Sequence, residues 1–248
     1  MDCTIIRRSA INKSGNGSMS LILNLDTSTD KASICIASDG EAIALVENHQ
    51  QKDHASWIHS AINQILQQCK YTIHDLQAVA VTAGPGSYTG LRVGMATAKG
   101  ICYTLNIPLI TENTLRAMAL AIKQAYKEKN GAEKRLFCPM IDARRMEIFT
   151  ALFTPDLREE MSSTALVVEE STFSDYLLKH EIIFSGNGSK KFQQLMSHPN
   201  AVFSEIPFSA EHLAILSHQK FLDQEFSDVA YSEPLYLKEF YTVSKKSE

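Results

Sequence analysis

The chain has 248 residues, a formal net charge of −4 and 44% apolar residues, enough to bury a sizeable core in one large domain or two smaller lobes. This slightly acidic balance excludes a protein that grips nucleic acid through its overall charge. Five cysteines, Cys3, Cys35, Cys69, Cys102 and Cys138, are scattered without a C-x-x-C pair, which argues against a zinc site or a disulfide framework and predicts reduced, mostly buried thiols in a cytoplasmic protein.

Residues 1–18 are polar, rich in turn formers and without the apolar core of a secretory signal, so they read as a loosely held extension, with Met19 a candidate start. No later run reaches the length of a membrane helix, and no membrane association is expected. Leu21 to Asp26, Lys31 to Ala37 and Glu41 to Val46 read as three strands, with Asp39-Gly40 turning between the last two. A helix follows from Asp53 to Cys69, with Ile58, Ile62, Ile65 and Leu66 on one face and Trp57 beside them. The short apolar run at Ala78 to Val81 is a buried strand, and Gly84-Pro85-Gly86 forces a turn out of it. Ser87 or Thr89 can cap the next helix. On it Gly90, Gly94, Ala98 and Cys102 recur every four residues and leave a smooth stripe that a sheet, a ligand or a partner can approach closely. A strand at Pro108 to Ile110 and a helix from about Asn113 to Tyr126 complete the first half.

A charged connector, Lys127 to Arg135, separates this half from the next. The pattern then starts again: a hairpin of Leu136 to Ile141 and Glu147 to Phe153, a strand at Ala165 to Val168, and a helix at Ser171 to Leu178. Then come a strand at Ile182 to Phe184, the turn Ser185-Gly186-Asn187-Gly188-Ser189, a helix to Met196, a strand near Val202 and a helix from Ser209 to Leu222. Both halves share one order of elements, and each first strand ends in an acid, Asp26 and Asp142. We read a duplicated α/β fold in two lobes, 19–112 and 113–248, with the boundary between about 110 and 135.

The segments LNLDTST (Leu23 to Thr29), GPGSYTGLRVGMATAKG (Gly84 to Gly100), IPLI (Ile107 to Ile110), MIDARRMEIFTALF (Met140 to Phe153) and PLYLKEF (Pro234 to Phe240) together resemble the bacterial TsaB (YeaZ) family. The resemblance covers nearly the whole chain from Leu21. It implies the duplicated actin-like ATPase (sugar kinase) fold and a role in forming threonylcarbamoyladenosine at position 37 of tRNAs that read ANN codons. It also implies a non-catalytic subunit that stabilises a metal-bearing TsaD-like transferase. A TsaE-like ATPase, self-pairing as a homodimer, and contact with tRNA only through the complex complete that expectation. Pairing through the first-lobe helices makes Trp57, Ile58, Gly90, Gly94, Ala98 and Cys102 interface candidates.

Two departures from catalytic relatives of this fold bear on function. Actin-like kinases carry a glycine in the first hairpin turn, whereas here it reads Asp26-Thr27-Ser28-Thr29, and the second turn reads Asp142-Ala143-Arg144-Arg145. Asp26, Thr27, Ser28, Gly84, Gly86 and Ser87 are therefore weak nucleotide candidates. No intrinsic cofactor is expected, and a nucleotide, where the complex uses one, belongs at the subunit interface. The glycine loop matches neither the P-loop nor the dinucleotide spacing. Secondly, Thr114 and Met118 stand where the TsaD-like paralogue has the two histidines of its metal motif, and neither replaces imidazole. His49, His54 and His59 read as surface residues, since no further ligand sits at metal spacing. Arg144 and Arg145 are either a solvated tip or a cleft contact for an anion. The competing readings are a nucleotide-dependent kinase or hydrolase of the same fold and a glycoprotease-like peptidase.

Overall fold

The computed structural model describes residues 5–7, 19–49, 54–126 and 134–238. Two sheets are built by the two halves of the chain. The first comprises β1 (Ile5–Arg7), β2 (Leu21–Asp26), β3 (Ala32–Ser38), β4 (Glu41–Asn48), β5 (Ala78–Gly84) and β6 (Leu109–Asn113), in the order β1-β4-β3-β2-β5-β6. The second comprises β7 (Arg135–Asp142), β8 (Glu147–Phe153), β9 (Glu159–Val167), β10 (Glu181–Ser185) and β11 (Ala201–Phe203), in the order β11-β10-β7-β8-β9. With β1 set aside the two orders are identical: an antiparallel meander of three strands whose first member pairs in parallel with the fourth. The duplication read from the element order is thus present in the strand pairing, and the fold is the duplicated actin-like one.

The helices are α1 (His54–Gln68), α2 (Tyr88–Leu105), α3 (Thr114–Ala125), α4 (Ser174–Leu177), α5 (Ser189–Gln193) and α6 (Ala210–Leu222). Trp57, Ile58, Ile62 and Ile65 of α1 join Met95, Ala98 and Cys102 of α2 on one face of the first sheet. Its other face, with Ile22, Ala80 and Ile110, is covered by Leu213 of α6. In the second sheet, α3 supplies Leu115, Met118 and Ile122 to one face, and Phe192 of α5 packs with Phe173, Phe184 and Phe203 on the other. Ala117 and Leu120 of α3 meet Leu216 of α6, so these two helices form a middle layer between the sheets.

The middle layer is pinned by Glu112, whose side chain is only 3% exposed. Its Oε2 accepts from Arg116 at 3.0 Å and faces Lys220 of α6 at 3.2 Å, while Lys220 also donates to the Thr111 carbonyl at 2.8 Å. Two cations and a neighbouring backbone N–H from Asn113 offset the burial of this carboxylate.

Four local expectations are revised. Ile5–Arg7, inside the segment read as a loose extension, pairs antiparallel with β4 as an edge strand, and the remainder of residues 1–18 lies outside the described residues. The helix expected at Ser171 to Leu178 shrinks to α4 because Phe173 takes a left-handed backbone, φ 68°, that breaks its start. The helix expected to reach Met196 ends at Gln193. β9 begins at Glu159, earlier than expected, because this polar edge strand carries little apolar alternation to mark it.

Candidate functional site

Four loops close on a cleft of about 540 Å³ between the lobes: the turn after β2, the glycine turn after β5, the turn after β7 and the Gly186-Asn187-Gly188 loop after β10. Ser28, Ser87, Thr89, Asp142, Arg144 and Asn187 are among its lining residues.

The first turn is folded onto itself. Asp26, 1% exposed, takes at Oδ1 the Ser28 hydroxyl at 2.6 Å, the Ser28 N–H at 3.2 Å and the Thr82 hydroxyl at 2.7 Å. The Ser28 carbonyl in turn accepts the Ser87 N–H at 2.7 Å. Ser87 caps α2, its hydroxyl accepting from the Gly90 N–H at 3.4 Å. Backbone crossing at this point leaves no room for side chains: a Cβ on Gly86 would overlap the Ser28 carbonyl oxygen, and one on Gly90 the Thr27 carbonyl oxygen.

The actin-like fold implies a nucleotide in this cleft, with backbone N–H groups of the first turn facing its phosphates. These residues do not fit that role. The Ser28 and Ser87 amides that would serve it are spent inside the chain, and Thr27 and Ser28 are fully buried. Asp26, Thr27, Ser28 and Ser87 lie together, in an arrangement that holds the first turn to the glycine turn.

The second turn is closed by a residue the sequence did not single out. Lys191 of α5, 15% exposed, bonds the Asp142 carboxylate at 2.6 Å, the Arg145 carbonyl at 2.7 Å and the Glu147 carbonyl at 3.0 Å. Arg144 and Arg145 both adopt left-handed backbone, φ 70° and 51°, and both side chains are exposed. Arg144 lines the cleft, whereas Arg145 is not among its lining residues. Burial disfavours the ionised form of Asp142, but the Lys191 ammonium and the Arg144 N–H outweigh it and hold the carboxyl below the ordinary value of 3.8. A carboxylate depressed in the folded state adds stability above its unfolded pKa and loses it as pH falls through the folded one. The wild-type chain should therefore lose stability between about pH 5 and pH 3, by at most about 1 kcal/mol from this half-exposed pair. Urea unfolding at both pH values should show a smaller drop for Lys191→Met; an unchanged drop removes Lys191 as the cause.

The six residues expected on a partner surface are instead buried in this chain's own core. Trp57, Ile58, Ala98 and Cys102 pack on the first sheet, and Gly90 and Gly94 lie against Thr27. Helical periodicity identified a covered stripe correctly but could not say which protein covers it. Burial also lifts the Cys102 thiol to about 11 and the Cys138 thiol to about 12, as fits packing residues. The outward faces of the same helices carry His59 and Asn63 on α1 and Arg92, Ala96, Gly100 and Tyr103 on α2, with Tyr103 84% exposed.

Thr114 is fully buried and Met118 nearly so, both in the middle layer. Among the described residues no group of three or more His, Cys, Asp or Glu side chains could hold a metal ion, and no helix is long and apolar enough to cross a membrane. His49 and His59 are exposed; of the His54 side chain nothing is described.

A family model described as TsaD, tRNA N6-adenosine threonylcarbamoyltransferase, matches residues 43–239. The chain is 27% identical to a tRNA threonylcarbamoyladenosine biosynthesis protein TsaB of Bacillus subtilis, across 88% of this chain and 93% of the relative. It is 28% identical to the TsaB of Escherichia coli, across 88% and 94%. Among solved structures, a Pseudomonas aeruginosa protein described as similar to peptidase YEAZ superposes with a TM-score of 0.74 at 23% identity, covering 89% of this chain and all of that one. With these motifs, this duplicated fold and a family match over most of its length, the chain belongs to the threonylcarbamoyltransferase family, on its TsaB (YeaZ) side.

Proposed function

We propose that the chain serves tRNA threonylcarbamoyladenosine formation as a non-catalytic subunit that binds and stabilises a metal-bearing TsaD-type transferase. One observation carries this reading: the cleft is intact as architecture, yet the groups that would perform chemistry in it are committed to the chain itself. Asp26 is enclosed by Ser28 and Thr82, and Asp142 is held by Lys191. Thr114 and Met118, which provide no metal site, support the same division of labour. In this reading the protein is cytoplasmic, meets tRNA only within the assembly and has no cofactor of its own. A nucleotide would lie at the subunit interface, where a TsaE-type ATPase joins.

The surface proposed for the partner is the outward face of α1 and α2. Gly100 sits within α2 and is exposed, and a Cβ added to it would meet no atom of the described residues within 4 Å. A glycine in a helix interior costs about 1 kcal/mol against alanine, and nothing among the described residues offsets that cost at Gly100. Close approach by a second chain would. The same face serves self-pairing as a homodimer when the transferase is absent.

Light scattering on size-separated protein tests the assignment. The chain mixed with the TsaD-type protein of the same genome should elute as a 1:1 heterodimer, and calorimetric titration of the lone chain with ATP should show no saturable binding. Saturable ATP binding without any heterodimer would replace this reading with the kinase or hydrolase one.

A further inference from the structure

The last described stretch of the chain, Ser227 to Lys238, leaves the first lobe and ends on the second. The Ser227 N–H donates to the Leu109 carbonyl at 2.8 Å, and Lys99 of α2 holds the carbonyls of Ala230 and Ser232, each at 3.0 Å. The tail then runs along α2 to the glycine turn. There the Leu235 N–H donates to the Ala83 carbonyl at 2.6 Å, and the Leu235 carbonyl lies 2.7 Å from where a Cβ on Gly84 would stand. Tyr236 packs its ring 5.2 Å from that of Tyr88, and its hydroxyl accepts from Arg92 at 3.2 Å. Two residues later the tail has crossed the cleft: Lys238 pairs with the Glu147 carboxylate and lies 5.9 Å from the centre of the Phe149 ring. Tyr88 and Phe149 both line the cleft, from opposite lobes.

We propose that Pro234–Lys238 is a strap that sets the width of the interlobe cleft. It is anchored on the first lobe by a backbone bond, the Tyr88 ring contact and the Arg92 bond to Tyr236, and fastened to the second by Lys238, which pairs with Glu147 and donates a long bond to the Ala143 carbonyl at 3.5 Å. Glu112 and Asn113 tie the lobes at the middle layer, where Asn113 donates to Ser163 of β9 at 2.8 Å. The strap ties them at the cleft mouth. Lys238 and Glu147 are each about one-third exposed, and an exposed ion pair is weak and screened by salt, so this fastening releases readily. Rigid lobes joined by a short segment open by hinge motion when such a contact is lost. Gly84 also gains a reason that a sequence motif does not supply: the space beside it is filled by the chain's own tail.

Spin labels at Thr89→Cys and Arg145→Cys, placed in full-length protein with Cys3 and Cys69 changed to serine, report the cleft distance by pulsed electron resonance. The unaltered strap should give one narrow distribution. Tyr236→Ala with Lys238→Ala should shift it to longer distances and broaden it, Glu147→Gln should do the same from the other lobe, and Lys238→Arg should restore the narrow form. A distribution unchanged by both the double substitution and Glu147→Gln shows that the tail merely lies on the surface. Glu147→Gln keeps the test decisive if the double variant folds poorly, because it leaves the tail and every backbone bond of the second turn in place.

Discussion

Gly94→Leu should destabilise the chain itself, and severely, leaving partner binding as a secondary casualty. A Cβ at Gly94 would overlap the Thr27 hydroxyl oxygen and stand 3.3 Å from Cγ2 of Val81, and leucine adds three carbons beyond it. Relief by a small shift is barred. The Thr27 hydroxyl donates to the Gly90 carbonyl at 2.7 Å, Thr27 is fully buried, and Val81 lies in a central strand paired on both sides. Overpacking in a well-filled core costs about 1–3 kcal/mol and sometimes more, and the upper end applies where backbone and hydroxyl both resist. We expect a loss of at least about 3 kcal/mol, a lowering of the melting temperature by roughly 6–12 °C for a chain of this size. Urea and thermal unfolding measure it directly. A variant as stable as the wild type would mean that α2 does not press on the first turn as described.

Gly100→Arg should do the reverse. The helix gains up to about 1 kcal/mol in propensity, no neighbour among the described residues is displaced, and the isolated protein should melt no lower than the wild type. Placed on the proposed docking face, however, the long cationic side chain should weaken association with the TsaD-type subunit by about a hundredfold or more, which is about 2.7 kcal/mol. Titration calorimetry with that partner reads the effect. Native affinity in a folded Gly100→Arg protein would move the interface away from α2. The two substitutions, six positions apart on one helix, separate what the glycines do for the fold from what they do for assembly.

Much of the architecture was legible because it is written in local patterns. Alternating and continuous apolar runs placed the strands, Gly84-Pro85-Gly86 and Gly186-Asn187-Gly188 marked the two corresponding turns, and their repetition exposed the duplication. The sequence Asp26-Thr27-Ser28-Thr29 shows a first turn without glycine. What it becomes depends on Thr82 and Ser87, more than fifty residues away, and no local pattern reports such partners. Lys191 was hidden for the same reason, since a lysine on a short helix looks solvated until Asp142 is found beside it. The stripe at Gly90, Gly94, Ala98 and Cys102 was the instructive error. Its spacing states that something packs closely there, and the burial of Thr27 and Val81 shows that the chain's own sheet does so. Gly100, two positions from Ala98 and from Cys102, lies off that stripe, and its spacing did not mark it.

The placement of α6 also governs the order in which the chain can mature during synthesis. Ile22, Ala78, Ala80 and Ile110 are covered by Leu213, so an emerging polypeptide that has completed its first six strands still shows water one apolar face. That face closes only after Ala210–Leu222 has left the ribosome, some hundred residues later. The first lobe therefore keeps one apolar face uncovered until α6 has emerged, and a helix from the second half of the chain closes it from the outside.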